Sequence, residues 1–200
     1  NTTMQSLGNY NNDGAKGIAS MAAGIGSSVK VGASTFQGAT ASVFGALNTV
    51  DASTGGPYDG VANSIVGVAN TTKNANGALI FGAGNLIKNS YANVTLDTSA
   101  LNPSDPESLT KSLAAAVKDS GGDVLAIGGA NEVDYGQFSQ VTGISNKLTG
   151  KEGTTSKFNS ITGSKNTVSN VQHVTVMGTE NEVKDTEGAI VFGDKRTMSS

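Results

Sequence analysis

Few residues in this chain have the chemistry for catalysis, and their spacing does not assemble them. His173 is the only histidine and there is no cysteine, so a histidine metal cluster, a thiol nucleophile and a disulfide framework are all excluded. No Gly-x-Ser-x-Gly elbow accompanies His173, which reads as a strand residue rather than a general base. Gly24-Ile25-Gly26 and Gly82-Ala83-Gly84 lack the third glycine of a dinucleotide-binding turn, and Gly150-Lys151 has neither phosphate-loop spacing nor a following Ser or Thr. Glu180, Glu182, Asp185 and Glu187 crowd together as calcium ligands do, but they alternate with Lys184 and Lys195 like an ordinary solvated face. The expectation is a protein without enzyme activity, metal or cofactor, whose chemistry is binding. Tyr10, Tyr58, Tyr91 and Tyr135 are the side chains best suited to contact sugar or protein.

Composition narrows the scaffold that could hold such contacts. With 27 Gly, six Phe and no Trp in 200 residues, large side chains are too few for a thick central core. Residues 1 to 96 carry a net charge of +1 and residues 97 to 200 a net charge of -4, so neither half has the basic surface of a nucleic-acid binder. No run reaches the roughly 18 apolar residues of a membrane helix, and the opening N-T-T-M-Q-S-L-G lacks the pattern of a secretion signal. Direct membrane insertion by these residues is not expected.

A repeat carries the organisation. An apolar-x-Gly-x-x-Asn phrase recurs at Gly45 and Asn48, Gly67 and Asn70, Gly82 and Asn85, Gly128 and Asn131, Gly143 and Asn146, Gly163 and Asn166, and Gly178 and Asn181, while Gly193 is followed by Arg196. Successive glycines lie 22, 15, 46, 15, 20, 15 and 15 residues apart, so fifteen is the unit and the longer intervals carry additions. At roughly 3.3 Å per residue, fifteen extended residues trace a perimeter of about 50 Å, enough for two short strands and two turns. Coils of this kind stack with parallel strand pairing, the glycines serving tight turns and the asparagines adopting left-handed geometry or bonding their counterparts above and below. Val43, Ile65, Ile80, Ala126, Val141, Ile161, Val176 and Val191, two positions before each glycine, form an inward rung. A second apolar set, five positions after the glycine, runs Val50, Ile87, Val133, Leu148, Val168, Val183 and Met198, with Thr72 the exception. One set is expected inside and the other at a subunit interface, because a thin coil buries little per copy against the entropy of ordering it.

The fold expected is therefore all-β, a parallel solenoid over residues 1–200, with degenerate coils at 1–40, regular coils at 41–96 and 123–200, and one helical insertion at about 97–122. Val31 before Gly32 is the best rung of the first segment. The 46-residue interval reads as three coils plus one residue, with Asp97 where a glycine is due. Within it, Ser104 and Glu107 have capping-box spacing, Pro106 suits a first turn, Leu109, Leu113, Ala116 and Val117 form a stripe, and Gly121-Gly122 ends the helix. Asp51 to Gly60 and Thr149 to Lys157 are polar excursions. Segments that break the scaffold are the natural contact surfaces, which makes Tyr58, Asp59, Leu109, Lys111, Lys118, Tyr135, Lys151 and Lys157 the candidates for touching a ligand.

Phrases such as V-F-G-A-L-N, I-F-G-A-G-N and V-M-G-T-E-N resemble the repeats of the YadA-like head of trimeric autotransporter adhesins, over most of Gly32 to Ser200. The resemblance implies a left-handed parallel β-roll, a homotrimer, and display on the bacterial cell surface, projected from the outer membrane by a stalk and an anchor outside these residues. It also implies partners among host matrix proteins, cell-surface receptors or glycans, or other bacteria. N-S-I-V-G at Asn63 to Gly67 matches the family's collagen-binding phrase only in part. A trimeric phage tail-fibre segment and a β-solenoid polysaccharide-processing enzyme are the alternatives. The absence of Trp and a lone Arg196 weigh against the enzyme.

Overall fold

The computed structural model describes residues 14–95 and 104–200. They form an all-β parallel solenoid with one helix. One nine-stranded sheet stacks β1 (Met21–Ala23), β3 (Ser42–Ala46), β5 (Ser64–Val68), β7 (Leu79–Ala83), β9 (Val124–Gly129), β12 (Ser139–Ile144), β15 (Ser160–Ser164), β17 (Thr175–Thr179) and β19 (Ile190–Asp194). The other stacks β2 (Ser28–Val31), β4 (Thr49–Ala52), β6 (Thr71–Lys73), β8 (Leu86–Lys88), β10 (Glu132–Asp134), β13 (Lys147–Thr149), β16 (Thr167–Ser169), β18 (Glu182–Lys184) and β20 (Thr197–Ser199), and β11 (Gly136–Gln137) pairs with β14 (Ser156–Lys157). The repeat glycines pair in register, Gly45 with Gly67, Gly67 with Gly82, and so on to Gly178 with Gly193.

Each coil turns at three corners, one more than the sequence implies. In the coil after Gly163 these are Lys165, Asn170 and His173, all with φ between 52° and 55°. The left-handed residue thus precedes the repeat asparagine, and the asparagine itself has a different task. Asn146 shows it. Its Oδ1 accepts from the backbone N–H and Nδ2 of Asn166, while its Nδ2 donates to Asn131 Oδ1 and to the Gly163 carbonyl, all at 2.8–3.1 Å. The same bonds link Asn48, Asn70, Asn85, Asn131, Asn146, Asn166 and Asn181 into one buried ladder. Its ends are adapted: Ser27 Oγ donates to the Gly45 carbonyl at one, and Arg196 N–H donates to Asn181 Oδ1 at the other. Among the described residues no buried side-chain nitrogen or oxygen lacks a partner, as a low-dielectric stack requires.

Both apolar sets prove to be interior apart from Met198 on the last coil, which is exposed, correcting the division between core and interface. Ile65, Ile80, Val141 and Ile161 from the first sheet and Val50, Ile87, Val133 and Leu148 from the second are all fully buried and belong to one core. A coil this thin has its two sheets back to back, so both inward columns meet. Thr72 is tolerated in that core because its Oγ1 accepts from Asn63 Nδ2. In the first segment the register runs through Gly24, whose rung is Ala22, and not through Gly32.

The 46-residue interval is one coil with a long excursion, since β7 pairs directly with β9 and Gly82 with Gly128. Asp97 lies outside the described residues, as does Tyr10. The helix, α1 (Pro106–Ser120), has Asp105 as its N-cap, accepting from Glu107 N–H, with Pro106 in the first turn. Ser104 is therefore not the capping residue; Asp105, next to proline, places its carboxylate on the first free amide. Ala116 is buried, and the Val117 carbonyl accepts from Gly121 N–H to close the helix. None of the helices among the described residues is long and apolar enough to cross a membrane.

Candidate functional site

Three corners give each coil three sides, and their outer faces differ in chemistry. Alternation along each strand sends every second residue outward. On the first sheet those positions hold Phe44, Val66, Phe81, Ile127, Thr142, Thr162, Met177 and Phe192 in one column, flanked by apolar Leu79, Val68, Ile144 and Ile190 among serines, threonines and Gln140. Phe81 is 58% exposed and Phe192 75%. From Ser42 to Thr179 no outward position on this sheet is charged. The second sheet is polar outside: Lys88 lies 3.2 Å from Glu132 and 3.4 Å from Asp134, and Lys147 lies 3.6 Å from Glu132.

The third side receives the insertions. The Asp51–Gly60, Thr149–Lys157 and α1 excursions all leave after a strand of the second sheet and return before one of the first. Tyr91 joins two of them. Its ring packs so closely over Gly56 that a Cβ there would stand 2.4 Å from the ring, and its carbonyl accepts from Gln137 Nε2 at 3.1 Å. Gln137 Oε1 in turn accepts from Thr155 Oγ1 at 2.8 Å. Beside this chain of contacts Phe138, Phe158 and His173 stack with centroids 5.3 and 4.8 Å apart. His173 is thus a corner residue with φ 52° and not a strand residue, held where the coil repeat brings rings into register.

The predicted contact residues divide accordingly. Tyr58 stacks on Phe36 at 5.8 Å, half-buried in its loop. Lys111 and Lys118 are exposed on α1, Lys111 paired with Glu107 at 2.7 Å. The side chain of Leu109 lies outside the described residues. Tyr135 forms a corner with φ 53° and its carbonyl accepts from Ser156 N–H. Lys151 sits exposed at the tip of its loop, bridged to Thr154, and Lys157 is half-buried on the third side. The acidic residues near the end do not converge: Glu180 pairs with Lys195 and Glu182 with Lys184, and among the described residues there is no metal-holding group of three His, Cys, Asp or Glu.

Asp59 is corrected outright as a contact residue, because it is fully buried. Its carboxylate accepts from Ala75 and Asn74 N–H, both at 2.9 Å, and so pins the Asp51–Gly60 loop to the next coil. Burial raises its pKa to about 7 against the downward pull of these amides. Between pH about 4 and about 7 the folded chain then holds a proton that the unfolded chain has released, so raising the pH across that window lowers stability. We expect the melting temperature of the wild type to fall relative to that of Asp59→Asn from pH 4 to pH 7; parallel curves for the two proteins would contradict this.

No protein-family model matches the chain, nor does any curated protein or solved structure.

Sequence reasoning missed Gln137, Thr155 and Gln172. Their signal was available: Gln137, Lys157 and Gln172 are spaced by 20 and 15 residues, like Gly143, Gly163 and Gly178.

Proposed function

We propose that the chain is the head of a trimeric bacterial cell-surface adhesin, a left-handed β-roll whose three copies bind host matrix or cell-surface macromolecules, or neighbouring bacteria. One observation carries the reading: the uncharged, apolar outer face of the first sheet, with Phe44, Val66, Phe81, Met177 and Phe192 39–75% exposed. The column is broken only by Thr142 and Thr162, and uncharged faces that expose this many large apolar side chains mark association surfaces. A second and third copy are the fitting occupants. In-register stacking repeats the same column along the solenoid, and rotation about an axis parallel to it sets each column against its equivalents.

The insertions would then remain on the outside of the trimer. Three weak sites on one rod, and many rods on one cell, raise apparent affinity by about 10²–10⁴ without any catalytic group. The test is retention of the full chain on collagen, fibronectin, laminin and bacterial cells, beside Phe81→Asp/Met177→Asp. The expected result is saturable retention on at least one surface, falling about tenfold or more in the variant. Retention on none, or equal retention of the two proteins, would overturn the proposal.

A further inference from the structure

The third side contains a polar groove of about 470 Å³ lined by Tyr91, Gln137, Thr154, Thr155, Lys157 and Gln172. Its framework is internally bonded. Gln137 is fixed between Tyr91 and Thr155, and Gln172 Nε2 donates to the Thr155 carbonyl at 2.7 Å. What remains unused is specific. Half-buried Lys157 has no ion-pair partner among the described residues, and Gln172 Oε1 and the Thr154 hydroxyl make no hydrogen bond among them. One cation, one amide acceptor and one hydroxyl thus belong to residues that line a common hollow.

We propose that this groove binds an acidic oligosaccharide, with a sugar carboxylate on Lys157 and neighbouring hydroxyls on Thr154 and Gln172. A half-buried ammonium without a counter-charge favours an anion, and the free amide and hydroxyl match the donors and acceptors of a sugar ring. An extended peptide fits less well. The floor is already paired coil to coil, Gln137 with Lys157 and Lys157 with Gln172, so it offers no strand edge to add to. The register continues from Gln172 to Glu187, whose carboxylate repels an anion at that end and directs it toward Lys157.

The site deepens the adhesive reading by naming a ligand class, and it does not depend on the trimer. The test follows amide resonances of the full chain during titration with an unsulfated hexasaccharide of alternating glucuronate and N-acetylglucosamine, with neutral chitohexaose alongside. Saturable shifts at Thr154, Thr155, Lys157 and Gln172 are expected. Affinity should fall about tenfold or more for chitohexaose and for Lys157→Gln, whose otherwise unchanged spectrum shows that it is folded. Absence of saturation at about 10 mM hexasaccharide, equal binding by Lys157→Gln, or tighter binding of a poly-glutamate decapeptide would each overturn the proposal. Failure here with a trimeric mass retained refutes this site and leaves the proposed assembly standing.

Discussion

Gly178→Ala should leave no cooperatively folded solenoid at 25 °C. At this position φ is +142°, and an added Cβ would lie 1.8 Å from the Gly193 carbonyl oxygen of the next coil. Two penalties combine. The backbone conformation is one that side chains avoid, and the clash is with backbone that cannot step aside without parting β17 from β19. Their pairing sets Val176 beside Val191 and Gly178 beside Gly193, so relief at one point opens the core rung as well. The expected loss exceeds about 4 kcal/mol, in the range kept for severe backbone or packing damage. Gly153→Ala is the control: its φ is also positive, at 77°, but nothing lies within 4 Å of the added carbon. That variant should lose only about 1–2 kcal/mol. Thermal unfolding by circular dichroism separates the two, and a Gly178→Ala protein that melts like Gly153→Ala would contradict the close-stacking account.

Asn146→Ala should cost on the order of 2–6 kcal/mol, more than a surface polar deletion by far. Removing the amide takes the side-chain bond from Asn166 N–H and from the Gly163 carbonyl and leaves Asn131 Oδ1 with only the Asn146 N–H. Each buried group left unpaired costs about 1–3 kcal/mol, and the thin coil leaves little room for replacement water. The position lies mid-ladder, so the coils on both sides are affected. Denaturant unfolding at several positions offers the check: Asn146→Ala should be hit much harder than Asn170→Ala, whose side chain bonds Asp185 at the exposed rim. Equal losses would mean that the ladder adds nothing beyond ordinary rim bonds.

The repeat made the fold legible because the same physical demand recurs at one phase. A glycine where backbone approaches backbone, an asparagine where amides stack and an apolar residue where the core lies are each required every fifteen residues. What was not legible depends on shape. The Val50 to Val183 column is as apolar as an interface and turned out to be core, because hydrophobicity does not say which way a thin coil faces. The interface candidates Phe44 and Phe81 sit in the same phrases, next to the glycine. The excursion between Gly82 and Gly128 is near a multiple of fifteen by coincidence, and only the β7–β9 pairing exposes it as one coil. Asp59 read as a loop charge, and burial against Ala75 and Asn74 gave it a structural task. The Lys157 groove draws its walls from Tyr91 to Gln172, residues brought together only when coils stack.

The apolar face of the first sheet is the point on which the proposed assembly rests, and the particle mass tests it most directly. Light scattering on a size-exclusion column, over a dilution series, should give about three times the 20.0 kDa of one chain, with Phe81→Asp/Met177→Asp shifted toward one. A folded wild type that holds the mass of a single chain at every dilution would contradict the account.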